Sequence, residues 1–366
     1  MNNSKFSRAL ALAFAPALFL LASCEKTGTG GSKTIQVTVS SDYITKGTDL
    51  TTNGLEKLGE FVLDAWLDDE YIDYVNDPGK TITDRHYINS GGAANVSYSA
   101  GKKWSLKTAS NWIGSDQTRF WCYAPAGATG LSITSTDLCK KEKLDFTYSL
   151  PAPATGSSTG TDADNQEDLV FAYNTKTYIK GKSSEEVDLT FHHALSKINF
   201  MVSPDDGTFD TTLKIKQISI VGIASSGNCT FTGPNTLTDP QTTAFAWSGH
   251  GEKKTYRQNY EASFTSTPSG WSAGTYTNDT GTYSTLRCDN AFFVIPQTLT
   301  DAAKGRIIFD DNGRTTAELE ADLHNIEWEA DKYYTYKITA TTIDRYINFG
   351  VTLQDWSDKD DKILIY

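Results

Sequence analysis

Long helical periodicity is missing from this chain of 366 residues. Only short stretches, such as Asn53 to Glu60, carry a helical turn or two, so short strands must be the building unit. No run of about 18 apolar residues follows residue 24, which excludes a later membrane-spanning helix. A basic excess is also absent. The formal charge of −12 repels nucleic acid and anionic lipid, so neither is an expected partner.

Metal-ligand spacing is lacking too. His192 and His193 are adjacent on a predicted strand and point to opposite faces, while His86, His250 and His324 have no cysteine or carboxylate at ligand spacing. Gly156-Ser157-Ser158-Thr159-Gly160 matches a hydrolase pattern, but it lies in a low-complexity loop rather than on a strand-to-helix turn. Asp162 to Asp168 and Asp355 to Asp361 read as solvated acidic surface. No catalytic residue, metal site or cofactor is therefore expected, and the chain is not read as an enzyme.

What is present begins at the N-terminus. Lys5 and Arg8 precede the uncharged run Ala9 to Leu21, and small residues lead to Cys24, which together read as an export signal over residues 1–23. Leu21-Ala22-Ser23-Cys24 resembles the lipobox of bacterial lipoproteins, which implies that Cys24 is acylated and holds the chain on the outer membrane, with residues 24–32 as a tether. The other four cysteines, Cys122, Cys139, Cys229 and Cys288, allow three pairings, and the reading favours buried or free thiols.

Ile35-Gln36-Val37-Thr38-Val39 alternates strictly, as a half-buried strand does, and similar runs recur at Phe61 to Leu67, Phe120 to Tyr123, Val187 to Phe191, Ile198 to Val202 and Tyr333 to Thr339. Many short strands separated by turn residues point to an all-β fold of antiparallel β-sandwiches. The length suggests two tandem domains, an N-terminal sandwich over 33–180 and a C-terminal one over 181–366. Pro151 to Asp168 is expected to be a long exposed loop shortly before the boundary, with the strand Asp168 to Tyr173 finishing the first domain and Val187 opening the second. The apolar phase slips by one between Ile215 and Ile218, which predicts a bulge at Lys216-Gln217.

Aromatics on alternating positions are assigned to cores, yet Trp247 and Trp271 lie in loop-rich sequence. They motivate an alternative function, a surface lipoprotein that captures glycans.

Three blocks together resemble the fimbrillin family of type V pili: Asp168 to Tyr173; Leu189-Thr190-Phe191-His192-His193-Ala194-Leu195-Ser196-Lys197; and Trp328 to Ile338 with Ile347 to Val351 and Asp355-Trp356. The resemblance implies two tandem transthyretin-like sandwiches and assembly by strand exchange, in which a protease removes the first strand and a neighbouring subunit's strand fills its place. Carried onto this chain, Ile35, Val37 and Val39 are the apolar face of the exchanged strand, and Ile363, Leu364, Ile365 and Tyr366 form the candidate donor. Lys46, in Thr45-Lys46-Gly47-Thr48, stands where relatives often carry arginine, and a pocket built for a planar guanidinium would accept it poorly. Expected partners are other fimbrillin subunits, the outer membrane through the lipid, and a host glycan or protein ligand.

Overall fold

The computed structural model describes residues 34–41, 58–67, 71–73, 80–82, 86–99, 103–112, 117–135, 138, 141–153, 162–177, 186–204, 213–233, 244–263, 271–278, 281–288, 291–311, 314–323, 326–340 and 347–355. Nearly all of these residues lie in strands or the turns between them, which makes the fold an all-β sandwich.

The first core lies between two layers. One contains Glu60–Leu67, Gln117–Ala124, Val170–Thr177 and the short His86–Ile88. The other runs in the order Val96–Ser99, Lys103–Leu106, Gln36–Ser41, Glu186–His193. Two strands turn the corners between layers, a standard way of closing a sandwich. Glu60 and Phe61 pair with Ser97 and Val96, after which the same strand pairs with Gln117–Ala124. Glu186–His193 pairs first with Gln36–Ser41, and its last two residues pair with Phe171 and Val170. The path therefore closes on itself.

Period-2 alternation fills the interior. Ile35, Val37, Phe61, Leu63, Phe120, Val170, Val187, Leu189 and Phe191 all belong to this one buried cluster. In Glu186–His193 the exposed and buried positions alternate as the sequence Glu-Val-Asp-Leu-Thr-Phe requires.

A second core uses the opposite face of the same central strands. Trp121, Tyr123, Phe171 and Tyr173 pack against a sheet of Ser132–Ile133, Lys143–Ser149, Ser226–Thr232 and Phe245–Ser248. Phe146 stacks on Phe171 with ring centroids 4.5 Å apart, and Trp121 meets Tyr173 at 4.3 Å. The cluster continues through Ile198, Phe200, Ile218, Ile220, Phe292, Ile307, Tyr336 and Ile338, on strands of the remaining larger sheets.

Three features differ from the expectation. Pairing crosses the boundary placed between residues 180 and 181: Lys143–Ser149 pairs residue by residue with Ser226–Thr232, and Glu186–His193 lies in the first sandwich. The sheets are not wholly antiparallel, since Gln36–Ser41 runs parallel to Glu186–Phe191 and Ser196–Pro204 parallel to Lys332–Ala340. And the acidic end of the expected exposed loop is buried, with Asp162, Ala163, Gln166 and Asp168 all inside.

The cause of that burial is hydrogen bonding to distant backbone. The Asp162 carboxylate accepts from the Arg257 N–H and the Gln166 amide oxygen from the Phe293 N–H. The bulge foreseen at Lys216-Gln217 is present, as a register shift between Ile215 and Gln217 against both neighbouring strands.

Candidate functional site

The leading strand Gln36–Ser41 is held very unequally on its two sides. Against Glu186–Phe191 it keeps six consecutive parallel pairs, from Gln36 with Glu186 to Ser41 with Phe191. Against Lys103–Leu106 it is in register at one pair, Val37 with Trp104. Below that point the chain diverges: Ile35 donates its N–H to the Ser110 carbonyl at 2.8 Å, and Thr34 bridges to Asn111.

Alternation decides what each side chain does. Ile35 and Val37 are 2% and 5% exposed and enter the first core, and Val39 is half-buried against it. Thr38 faces outward and its hydroxyl donates to the Asp188 carboxylate on the neighbouring strand. Asn174 donates to the Asp188 carbonyl at 2.5 Å, tying that strand in turn to Val170–Thr177. A cleft of about 540 Å³ runs along the weak side, between residues 34–39 and Lys103–Leu106.

A second polar arrangement joins the two cores. His193 Nδ1 lies 2.7 Å from Asp168 Oδ2 with both side chains buried, and the His193 N–H reaches Asp331. Its neighbour His192 is partly exposed, so the two histidines do face opposite ways. The pair fastens the end of Glu186–His193 to the residues that open Val170–Thr177, and Ala194 adds an N–H to the Leu169 carbonyl. Nothing about the Asp168 to Leu195 sequence taken locally announces this joint; the nearest signal is the doubled histidine on an alternating strand.

Of the residues singled out from sequence, the structure brings Ile35, Val37 and Val39 together on one face as expected. Cys24, Lys46, Ile363, Leu364, Ile365 and Tyr366 lie outside the described residues, as does the side chain of Trp271. Trp247 is not a free platform: its indole N–H donates to the Ala194 carbonyl at 2.9 Å and its ring meets Phe146 edge-on. Cys122 and Cys229 are buried thiols. Burial, assisted by the negative charge of Asp64, pushes the Cys122 thiol well above its ordinary range; burial does the same for Cys229.

Comparison with known proteins places this architecture. A fimbrial protein from Bacteroides vulgatus shares the fold, with a TM-score of 0.51, 15% identity, and coverage of 88% of this chain and 99% of that one. A proposed cell adhesion protein from Bacteroides ovatus is similar over 90% of this chain and 100% of its own, at 15% identity and a TM-score of 0.48. A fimbrial assembly protein from Parabacteroides distasonis covers 91% and 100%, at 10% identity and a TM-score of 0.40. No curated protein sequence matches. Residues 65–356 match the family described as Fimbrillin-like, which is most of the chain. The chain belongs to the fimbrillin-like family, whose members are structural fimbrial proteins rather than enzymes.

Proposed function

We propose that this protein is a subunit of a type V pilus, exported as a lipoprotein acylated at Cys24, held at the outer membrane, and assembled by exchange of its leading strand. The observation that supports this most directly is the unequal hold on Gln36–Ser41: six pairs on one side and one on the other. Taking that strand away would leave an apolar slot lined by Phe61, Val187, Leu189 and Phe191, with a strand edge on either side. A neighbour's strand with alternating apolar residues fits such a slot by backbone pairing and side-chain burial. Ile363 to Tyr366 is the segment of suitable character at the other end of the chain.

The leading strand is not an edge strand, so exchange must part it from both neighbours. Processing after Lys46 would leave Gly47 as the first residue of the assembled subunit. Mass spectrometry of surface-purified protein tests this. A mature N-terminus at Gly47 supports an exchanged stalk subunit, whereas an acylated Cys24 inside assembled pili refutes exchange and makes the chain an anchor that retains its strand. Deleting residues 362–366 is expected to abolish polymer ladders while the monomer stays folded; ladders that persist refute the donor assignment.

A further inference from the structure

The first and last of the described strands meet a pull along the chain in opposite ways. Gln36–Ser41 runs parallel to Glu186–Phe191 over six pairs, with Gln36 beside Glu186 at one end and Ser41 beside Phe191 at the other. Ile347–Asp355 runs antiparallel to Lys332–Ala340 over nine pairs, from Asp355 beside Lys332 to Ile347 beside Ala340. Among the described strands it lies at the edge of its sheet, paired on one side.

One short line joins the two. The His193 N–H reaches the Asp331 carboxylate, the Asp331 N–H donates to the Leu195 carbonyl at 3.2 Å, and Lys332, the next residue, is the partner of Asp355. The chain thus enters the leading strand at the Glu186 end and leaves the last strand near the His193 end, about 23 Å further along by the rise of a parallel strand. Tension between the chain ends pulls Gln36–Ser41 toward its own N-terminus and Glu186–His193 toward its C-terminus, where His193 is fastened to Asp168 at 2.7 Å. Parallel strands drawn apart along their axis slide, so all six pairs share the load and fail together. The last strand is loaded differently. Its pulled end at Asp355 and the held end of its partner at Lys332 lie at the same end of the ladder, so the force falls on one pair at a time, beginning there.

We infer that the protein lengthens under tension without parting from what holds it: Ile347–Asp355 peels first, while the leading-strand slot holds in shear. This rests on the pilus-subunit reading, in which tension passes from the slot at one end of the chain to the C-terminal segment at the other. It applies to either occupant of the slot, the chain's own strand pulled through residues 24–35 or a neighbour's strand lying the same way. Peeling Ile347–Asp355 releases nine residues, about 30 Å of extended chain. Its pairs break and reform singly, so the extension is reversible, whereas losing the leading strand requires six pairs to go at once.

The test is single-molecule force spectroscopy on the chain over residues 24–366, held by handles at its two ends. A reversible step of about 30 Å is expected before any other loss of structure, at a force several-fold below that of the next rupture. Lys332→Cys with Asp355→Cys places two thiols on Cα partners at the loaded end, where a disulfide closes the ladder. The step is expected to vanish on oxidation and return on reduction, and its return shows that the variant folds. Attaching the first handle at Ser41 instead pulls the leading strand from its other end, where it peels, and its rupture force is expected to fall several-fold. A first rupture with no step of about 30 Å ahead of it overturns the proposal, as does a step that survives the closed disulfide. A leading-strand rupture force that is equal from both ends overturns the shear assignment. These traces come from the uncut monomer, so they are independent of strand exchange, which N-terminal mass spectrometry decides.

Discussion

Ile35→Ala is the sharpest probe of whether the leading strand can leave while the rest of the molecule stays folded. The side chain is 2% exposed and belongs to the first core, with no member of the second core in its cluster. Truncating a buried isoleucine to alanine costs about 2–5 kcal/mol, of which the lower figure already multiplies an opening equilibrium about 30-fold. If the strand opens locally, the whole cost falls on that opening. Hydrogen exchange with mass or NMR detection should then show amides of Gln36–Ser41 and of Glu186–Phe191 exchanging at least about 30-fold faster and, in wild type and variant alike, through an opening of lower free energy than the global unfolding that exposes those around Ile218, Ile220 and Tyr336 in the second core. One opening free energy shared by both regions, equal to that of global unfolding, would refute the reasoning. It would mean that one cooperative unit spans both cores, and that the strand cannot come out without unfolding the protein.

Further outcomes follow from the same geometry. Asp168→Ala removes the carboxylate 2.7 Å from His193 Nδ1 in the interior and should cost about 1–3 kcal/mol in denaturant unfolding, whereas replacing both residues by leucine should recover most of the loss. Gly222→Ala should destabilise by at least about 1–3 kcal/mol, since Gly222 has φ of +74° and an added Cβ would sit 2.1 Å from the Ala302 carbonyl oxygen; wild-type stability in the variant would contradict that packing. Cys122 and Cys229 should resist thiol reagents until denaturant is added. Because burial raises both thiols above their ordinary 9.0, the folded state holds their protons more tightly than the unfolded chain, so their contribution is intact below pH 9.0 and lost as pH rises above it; a melting temperature that climbs through that range would reverse the sign.

The parts of this molecule that could be read in advance are those governed by neighbours in sequence. Val187, Leu189 and Phe191 alternate, and the strand alternates; the phase slip after Ile215 is a bulge; adjacent His192 and His193 divide between faces. The parts that could not are choices of distant partner. Period-2 patterning gives the leading strand an inner face but says nothing of which strands flank it, and its main partner lies 150 residues away at Thr38 and Asp188. Asp162 and Gln166 look like solvent-loving loop residues and are buried because backbone N–H groups 95 and 127 positions later need acceptors. Trp247 looked available for the same reason, its fate being set by the carbonyl of Ala194 across 53 residues.

The position of the leading strand separates cutting from release. A peptide bond broken after Lys46 removes no contact of Gln36–Ser41: the six pairs with Glu186–Phe191 and the burial of Ile35 and Val37 persist in the nicked protein. Burying an isoleucine or valine fully is worth about 1.5–3 kcal/mol each, and six residues of ladder add to that, so a severed strand stays in place until something displaces it. What cutting changes is the tie to the rest of the chain, and hence the concentration at which the strand competes with an incoming one. On the strand-exchange proposal, a strand still joined to its chain would return as an intramolecular partner, at an effective concentration of about millimolar for a short flexible link; once cut and dislodged, it would be diluted into the surroundings. Cleavage after Lys46, the processing step proposed above, would thus make displacement irreversible without making it fast. A subunit whose lysine is left intact would hold its own strand against any neighbour, which is the property required of an anchor.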